Sequence, residues 1–133
     1  MQLATRKQLS KKNPWRIENR DREYELIHFC RQYGAWKRRI KDIRLKCGSG
    51  EWDNPTEEEA VEIATCREKI DLVEKLVAQV VRKETYLYPF ILLHVTENVS
   101  YPALRTYHDM IYPRDPFYDL VHEFYYLLDK ERH

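Results

Sequence analysis

Cationic side chains on the first predicted helix are the residues of this sequence whose type and spacing point most clearly to a chemistry. Four of them follow closely along the chain, between apolar positions: Lys37, Arg38, Lys41 and Arg44. Ammonium and guanidinium groups on such a face bind phosphate oxygens through charge-assisted hydrogen bonds. The run therefore predicts a nucleic-acid contact made mainly to phosphate. A charged helix surface that meets only solvent is the alternative interpretation.

A second group of candidates for nucleic-acid contact lies in the last third of the chain. Their side chains are cationic or aromatic, and they are Arg105, Arg114, Tyr118 and His122. Two helices around a turn near residues 109–113 have the outline of a helix-turn-helix, whose second helix enters the major groove. That helix also carries Asp119 and Glu123 on its outward face, and phosphates repel carboxylates. We therefore expect it to suit a protein surface better than DNA.

Catalytic and metal-binding patterns are weak. His94, His108 and His122 fall on three different predicted helices, and their spacing matches no zinc signature. The sequence has neither a Gly-rich phosphate loop nor a nucleophile elbow. Its three cysteines include no Cys-x-x-Cys pair, so we expect reduced, buried thiols and no disulfide framework. We therefore expect no catalytic residues, no metal, no cofactor and no enzyme activity.

Charge is divided unevenly along the 133 residues, although the net charge is only +1. Residues 1–46 carry 14 Lys or Arg against 5 Asp or Glu, residues 47–85 carry 5 against 10, and residues 86–133 carry 4 against 7. Such asymmetry is typical of a protein whose basic part meets an anionic partner, most often nucleic acid. The alternative is that the basic segment complements the acidic one within a single fold.

Composition indicates the fold class and excludes a membrane protein. No apolar run approaches the roughly 20 residues needed to cross a bilayer, and the polar, basic start lacks a signal-peptide core. We therefore expect a cytoplasmic protein with no membrane partner. Only three glycines, with abundant Leu, Ile, Glu, Lys and Arg, favour helices over sheets. The prediction is an all-α chain.

Apolar periodicity predicts two long helices, each with a seam in steps of three and four. The seam of the first is Leu26, Phe29, Tyr33, Trp36, Ile40, Ile43 and Cys47. Gly34 is expected to kink this helix. The second helix should begin at a capping box formed by Thr56 and Glu59 and end near Arg82. Its seam is Ile63, Cys66, Ile70, Val73, Val77 and Val80.

Three further helices are expected after the hairpin. The one over residues 86–97 is apolar nearly all round and belongs in the core. Ser100 should cap a short helix that ends near His108. Asp115 should cap the last helix, with Pro116 at its first position. The inward stripe of that helix is predicted to be Phe117, Leu120, Val121, Phe124, Leu127 and Leu128.

Together these elements predict one compact all-α domain. Residues 1–19 should be a flexible basic arm, residues 20–83 an antiparallel helical hairpin, and residues 84–133 a helix-turn-helix-like unit of three helices. Apolar positions beyond the second seam leave surface for either the C-terminal helices or a second subunit. Packing within the chain is favoured, because the seam is short for a self-standing coiled coil. The oligomeric state is expected to be a monomer or a homodimer.

Several short runs also point to a family. At the N-terminal side they are Tyr24-Glu25-Leu26, His28-Phe29-Cys30, Gln32-Tyr33 and Trp36-Lys37. At the C-terminal side they are Val95-Thr96-Glu97, Ser100-Tyr101, Leu104, Arg114-Asp115, Phe117-Tyr118 and Phe124 with Leu127-Leu128-Asp129-Lys130. The chain thereby resembles small proteins of prophages and mobile elements in Gram-positive gut bacteria, similar to phage transcriptional activators of the RinA and ArpU kind. Their C-terminal part resembles the helix-turn-helix of sigma factor region four.

The resemblance implies DNA binding through the last helix in the cytoplasm of a bacterial host, but the chain departs from the family there. It has Asn98 where such proteins tend to have Gly, and Ile111 where they tend to have Pro. Residues 120–123, where they tend to be basic, read Leu-Val-His-Glu. The leading hypothesis is a phage-type regulator that binds double-stranded DNA or docks on host transcription machinery. The alternative is a mobile-element inhibitor or adaptor that binds another protein through its aromatic, acidic C-terminal surface.

Overall fold

The structure, a computed structural model, describes residues 14–48 and 54–132. These residues form helices joined by turns, with no strand among them. The helices are α1 (Arg20–Arg31), α2 (Tyr33–Gly48), α3 (Glu57–Val80), α4 (Tyr88–Glu97), α5 (Tyr101–Tyr107) and α6 (Arg114–Glu131), and a 3₁₀ turn, Thr85–Leu87, precedes α4. The all-α prediction is confirmed. No helix in the described ranges is both long enough and apolar enough to cross a bilayer.

Helices α2 and α3 form the predicted hairpin, and its seams are buried as expected. All seven predicted seam residues of α1 and α2 are buried. On α3 the predicted seam is buried from Cys66 onward, while Ile63 is only partly buried. Helices α4 and α6 then pack against α3. The apolar stripe that α3 presents beyond its seam is therefore covered from within the chain.

The predicted first helix is in fact two helices, because the chain breaks at Gln32. The Gln32 N–H donates to the Phe29 carbonyl at 3.1 Å, a bond that tightens the last turn of α1. The Trp36 N–H donates to the Gln32 carbonyl at 3.0 Å and so begins α2. Gly34 lies inside α2 without a positive φ. The kink predicted at Gly34 is thus wrong, because the chain breaks two residues earlier, at Gln32.

Two predicted N-caps are present. The Glu59 N–H donates to Thr56 Oγ1 at 3.1 Å, and the Thr56 N–H donates to Glu59 Oε1 at 3.0 Å, which confirms the capping box. The Ala103 N–H donates to Ser100 Oγ at 3.2 Å at the start of α5. Helix α3 ends at Val80, slightly before the predicted Arg82.

The start of α6 differs from the prediction. Pro113, with φ −62° and ψ 148°, is its N-cap, and no side chain caps the helix. Asp115 is therefore inside the first turn, and Pro116 is the third helical residue. First-turn N–H groups have no carbonyl partner within a helix, so a proline there removes no helical hydrogen bond. The connection between α5 and α6 is residues 108–113, which is longer than the roughly three to four residues of a typical helix-turn-helix.

Helix α4 ends on a left-handed residue. Asn98 has φ 58° and ψ 32°. Apart from glycine, Asn is among the few residues that adopt this left-handed conformation routinely. Asn98 Oδ1 also accepts a hydrogen bond from Arg31 Nη2 at 3.0 Å. Asn98 therefore makes the turn and also links it to α1.

One apolar cluster joins all the helices described. In α6 the buried residues are Phe117, Val121, Phe124, Tyr125 and Leu128. Of the remaining predicted stripe, Leu120 and Leu127 are partly buried. All three cysteines are buried free thiols, as predicted. Burial raises the pKa of the Cys30 thiol to about 12, so this group is a neutral packing element at physiological pH.

Candidate nucleic-acid interface

The buried seam of α2 divides its cations into two flanks. On one flank Arg39 Nη2 lies 3.0 Å from Glu62 Oε1, and Lys46 Nζ lies 2.7 Å from Glu59 Oε2. Hydrogen bonds from Lys46 and from the Thr56 N–H lower the pKa of Glu59 to about 2. The hydrogen bond from Arg39 likewise lowers the pKa of Glu62. On this flank the basic segment complements the acidic one within the fold.

The other flank of α2 borders an open groove between α2 and α3. Three of the predicted nucleic-acid contacts line it, namely Lys37, Lys41 and Arg44. All three side chains are exposed. Within the described ranges, neither Lys41 nor Arg44 has a carboxylate within 4 Å. Their charges therefore remain available to an external anion.

Lys37 is held more firmly than its neighbours. Its Nζ lies 5.0 Å from the centre of the Tyr33 ring and 3.4 Å from the Tyr33 hydroxyl. That hydroxyl donates to Glu74 of α3, and burial together with this hydrogen bond raises the pKa of Tyr33. Lys37 is thus linked to Glu74 through the Tyr33 hydroxyl.

Arg38, the fourth predicted contact on α2, is exposed. Its Nη1 lies over Gly34, 3.3 Å from where a Cβ would be. With a rise of about 1.5 Å per residue, the distance from Lys37 to Arg44 along the helix is about 10 Å. Lys37, Lys41 and Arg44 therefore form one short cationic surface, and Arg38 does not line the groove with them.

The α3 wall of the groove has a different character. It consists of Arg67, Asp71 and Glu74, above a floor of Ile40 and Ile70. A polyanion is repelled by the two carboxylates, so it can approach only along the α2 side and near Arg67. The sequence prediction missed Arg67, because it lies in an acidic helix and becomes part of the groove only once α2 packs beside it.

The C-terminal candidates do not join this groove, whose walls come from α2 and α3 alone. The Arg114 guanidinium lies 5.2 Å from the centre of the Tyr118 ring and 3.6 Å from Asp115 Oδ1. Tyr118 and His122 are half-buried. Arg105 is exposed on α5 and has no carboxylate within 4 Å among the described residues.

The outward face of α6 is largely occupied by contacts within the chain. The Trp15 ring packs edge-on against Tyr126, with centroids 5.4 Å apart. Arg82 Nη1 lies 3.4 Å from Glu123 Oε2, and the Glu123 side chain is only 12% exposed. Asp119 is the exposed member of this face. The helix that would read DNA in a helix-turn-helix is thus both acidic and partly covered.

The side chain of His94 is half-buried and packs within the fold. Its Nδ1 lies 2.8 Å from the Val99 carbonyl oxygen, and its ring meets Phe117 edge-on at 5.2 Å. A carbonyl can only accept, so Nδ1 carries the hydrogen. Burial lowers the pKa of His94. Among the described residues, no three His, Cys, Asp or Glu side chains are placed to hold a metal ion.

Among the described residues, the groove between α2 and α3 brings together three of the predicted contacts, Lys37, Lys41 and Arg44, and adds Arg67. No protein-family model matches the sequence, and no curated protein and no solved structure matches the chain. What the groove can bind follows from its own charge and geometry.

Proposed function

We propose that the protein is a phage-type transcription regulator that binds double-stranded DNA through the cationic flank of α2 and has no catalytic activity. The observation that supports this most is the contrast between the two flanks of α2. Arg39 and Lys46 are neutralised by α3, whereas Lys41 and Arg44 are exposed without a carboxylate partner in the described ranges. The resemblance to phage activators supports the same function, although it implies a different helix.

Binding of this kind is governed by phosphate contacts. Each phosphate neutralised by Lys or Arg releases counterions, so affinity falls steeply as salt rises. Phosphate contacts position a protein on the duplex but carry little sequence information. The exposed side of α2 offers Lys and Arg, which can also reach guanine, but no Asn or Gln for adenine. Sequence selectivity is therefore expected to be modest.

A matched pair of double variants tests the proposal. Lys41→Ala/Arg44→Ala removes one Lys and one Arg from the groove, and Arg39→Ala/Lys46→Ala removes one of each from the paired flank. Binding to a labelled duplex, measured by fluorescence anisotropy at about 50 mM salt, should weaken at least about tenfold for the first variant only. Equal losses in both variants would mean that only net charge matters, and the proposed surface would be wrong.

A mobile-element inhibitor or adaptor that binds a protein is the second candidate. Tyr107 and Ile111, beside the connection between α5 and α6, are 80% and 82% exposed. Large exposed apolar side chains of this kind are typical of protein interfaces. If this candidate is right, the wild type should not bind the labelled duplex even at about 50 mM salt, and a purified protein partner should retain the wild type but not Tyr107→Ser/Ile111→Ser.

A further inference from the structure

Arg67 lies on α3 and makes no ion pair in the described part of the chain. The other two cations of α3, and Arg82 just after it, have partners: Lys75 Nζ lies 3.1 Å from Glu131 Oε1, Arg82 pairs with Glu123, and Lys69 Nζ lies 5.7 Å from the centre of the Trp36 ring. Arg67 is exposed and lines the groove that also contains Lys41 and Arg44. Its guanidinium is therefore available on the α3 wall.

The two ends of the groove differ in charge. Helices α2 and α3 are antiparallel, with Lys46 beside Glu59 at one end and Tyr33 beside Glu74 at the other. Glu74 therefore lies toward the Tyr33 end. Arg67 comes seven residues before it, about 10 Å nearer the loop. Asp71, one turn after Arg67, lies toward the same acidic end. The cations that line the rest of the groove are Lys41, Arg44 and Arg67.

The described residues that line the groove offer no aromatic ring to a nucleic-acid base. Its floor is Ile40 and Ile70, and Leu45 lines its edge. The nearby aromatic residues Tyr33 and Trp36 are each only 6% exposed. Lys37 and Lys69 lie over their rings. Proteins that bind single strands depend on exposed aromatic rings that stack on bases, and this surface lacks them.

We propose that Arg67 is a phosphate ligand on the second wall of this groove, and that the groove takes the backbone of double-stranded DNA in preference to a single strand. This inference rests on the proposed function and extends it to α3. A duplex carries one charge per about 1.7 Å of its axis, twice the axial charge density of one strand, and keeps its bases stacked inside. A duplex therefore suits a groove that has cations for phosphates but no exposed aromatic ring on which a base could stack.

Single variants with a matched control test this assignment. Arg67→Ala and Arg39→Ala each remove one guanidinium, but only Arg67 lies in the groove. For Arg67→Ala the log-log slope of duplex affinity against salt should become shallower by about 0.9, and Arg67→Lys should restore it. The slope should be unchanged for Arg39→Ala. A wild-type slope in Arg67→Ala would overturn the role of Arg67.

Binding to a single strand of equal length completes the test. Wild-type protein should bind the duplex at least about tenfold more tightly than the single strand at the same salt. Equal or tighter binding of the single strand would overturn the duplex preference while leaving DNA binding itself intact. No binding to either nucleic acid would instead overturn the proposed function, and this inference with it.

Discussion

The guanidinium of Arg39 holds the carboxylate of Glu62 across the hairpin, with Nη2 3.0 Å from Oε1. Lys41 and Arg44, on the other side of the same helix, have no such partner in the described ranges. One flank of α2 therefore stabilises the hairpin, while the other presents charge to the surroundings. This division separates the cations that serve the fold from those available to a ligand.

Removing the charge of Glu59 should destabilise the protein at neutral pH but not in acid. Its pKa in the fold is lowered to about 2 by Lys46 and the Thr56 N–H, from an ordinary value of 4.5. A carboxyl with a lowered folded-state pKa contributes stability that is present above its unfolded value and lost as pH falls through the folded one. The melting temperature of Glu59→Gln should therefore be lower than that of the wild type at pH 7. The difference between the two melting temperatures should disappear near pH 2. Glu58→Gln, in the same turn, is the control. A difference in melting temperature between Glu59→Gln and the wild type that stays constant with pH would contradict the prediction.

Acidification below neutral pH should weaken the fold through His94. Burial lowers the pKa of His94 in the folded protein below the ordinary value of 6.5. At a pH between the folded-state and the unfolded-state pKa, the unfolded chain therefore binds a proton that the folded chain does not. Its contribution is present above pH 6.5 and declines as the pH falls toward the folded-state pKa. His94→Asn can retain a donor to the Val99 carbonyl without titrating. Urea unfolding at pH 7 and at pH 5 measures how much free energy of unfolding is lost on acidification. His94→Asn should lose less than the wild type, and identical losses would contradict the prediction.

Gly34→Ala should stabilise the protein by about 0.5–1 kcal/mol, since alanine loses less backbone entropy in a helix interior. Gly34 has no positive φ, and its new Cβ would meet only the far end of Arg38, at 3.3 Å. Urea unfolding measures the change, with Gly48→Ala at the open end of α2 as control. Destabilisation would show that the flexibility of Gly34 is needed at the break between α1 and α2.

Asn98 provides a test of the left-handed turn after α4. At φ 58°, Asn98→Ala should cost about 1–2 kcal/mol, because alanine lacks both the conformational preference and the acceptor for Arg31. Asn98→Gly should cost less, since glycine adopts the conformation freely but loses the hydrogen bond. Thermal unfolding of the two variants checks this order. The reverse order would show that the turn conformation contributes little.

The periodicity of the sequence predicted which segments are helical and much of the core, but not every helix boundary. Steps of three and four identified the seam from Leu26 to Cys47, and every residue of it is buried. The capping box at Thr56 was also predictable, because its two hydrogen bonds are local. The break at Gln32 was not, since α1 and α2 share one apolar pattern and no proline marks the boundary. It coincides with the packing of α1 on α4 and α6, contacts that lie far apart in sequence.

The site was predictable only in part for a related reason. The cations of α2 can be read from the sequence, but which of them α3 neutralises depends on how the two helices are rotated against each other. Arg39 and Lys41 look equivalent in sequence, yet only Arg39 meets a carboxylate in the described ranges. The contact between Trp15 and Tyr126 likewise joins residues from opposite ends of the chain. No periodic pattern contains that information.

The salt dependence of wild-type binding to duplex DNA tests the central claim most directly. If Lys41, Arg44 and Arg67 each meet a phosphate, log affinity should fall with log salt by a slope of at least about 2.7. The slope of Lys41→Ala/Arg44→Ala should be shallower by about 1.8. An absence of binding at about 50 mM salt, or an affinity that does not change with salt, would contradict the claim that this surface binds DNA.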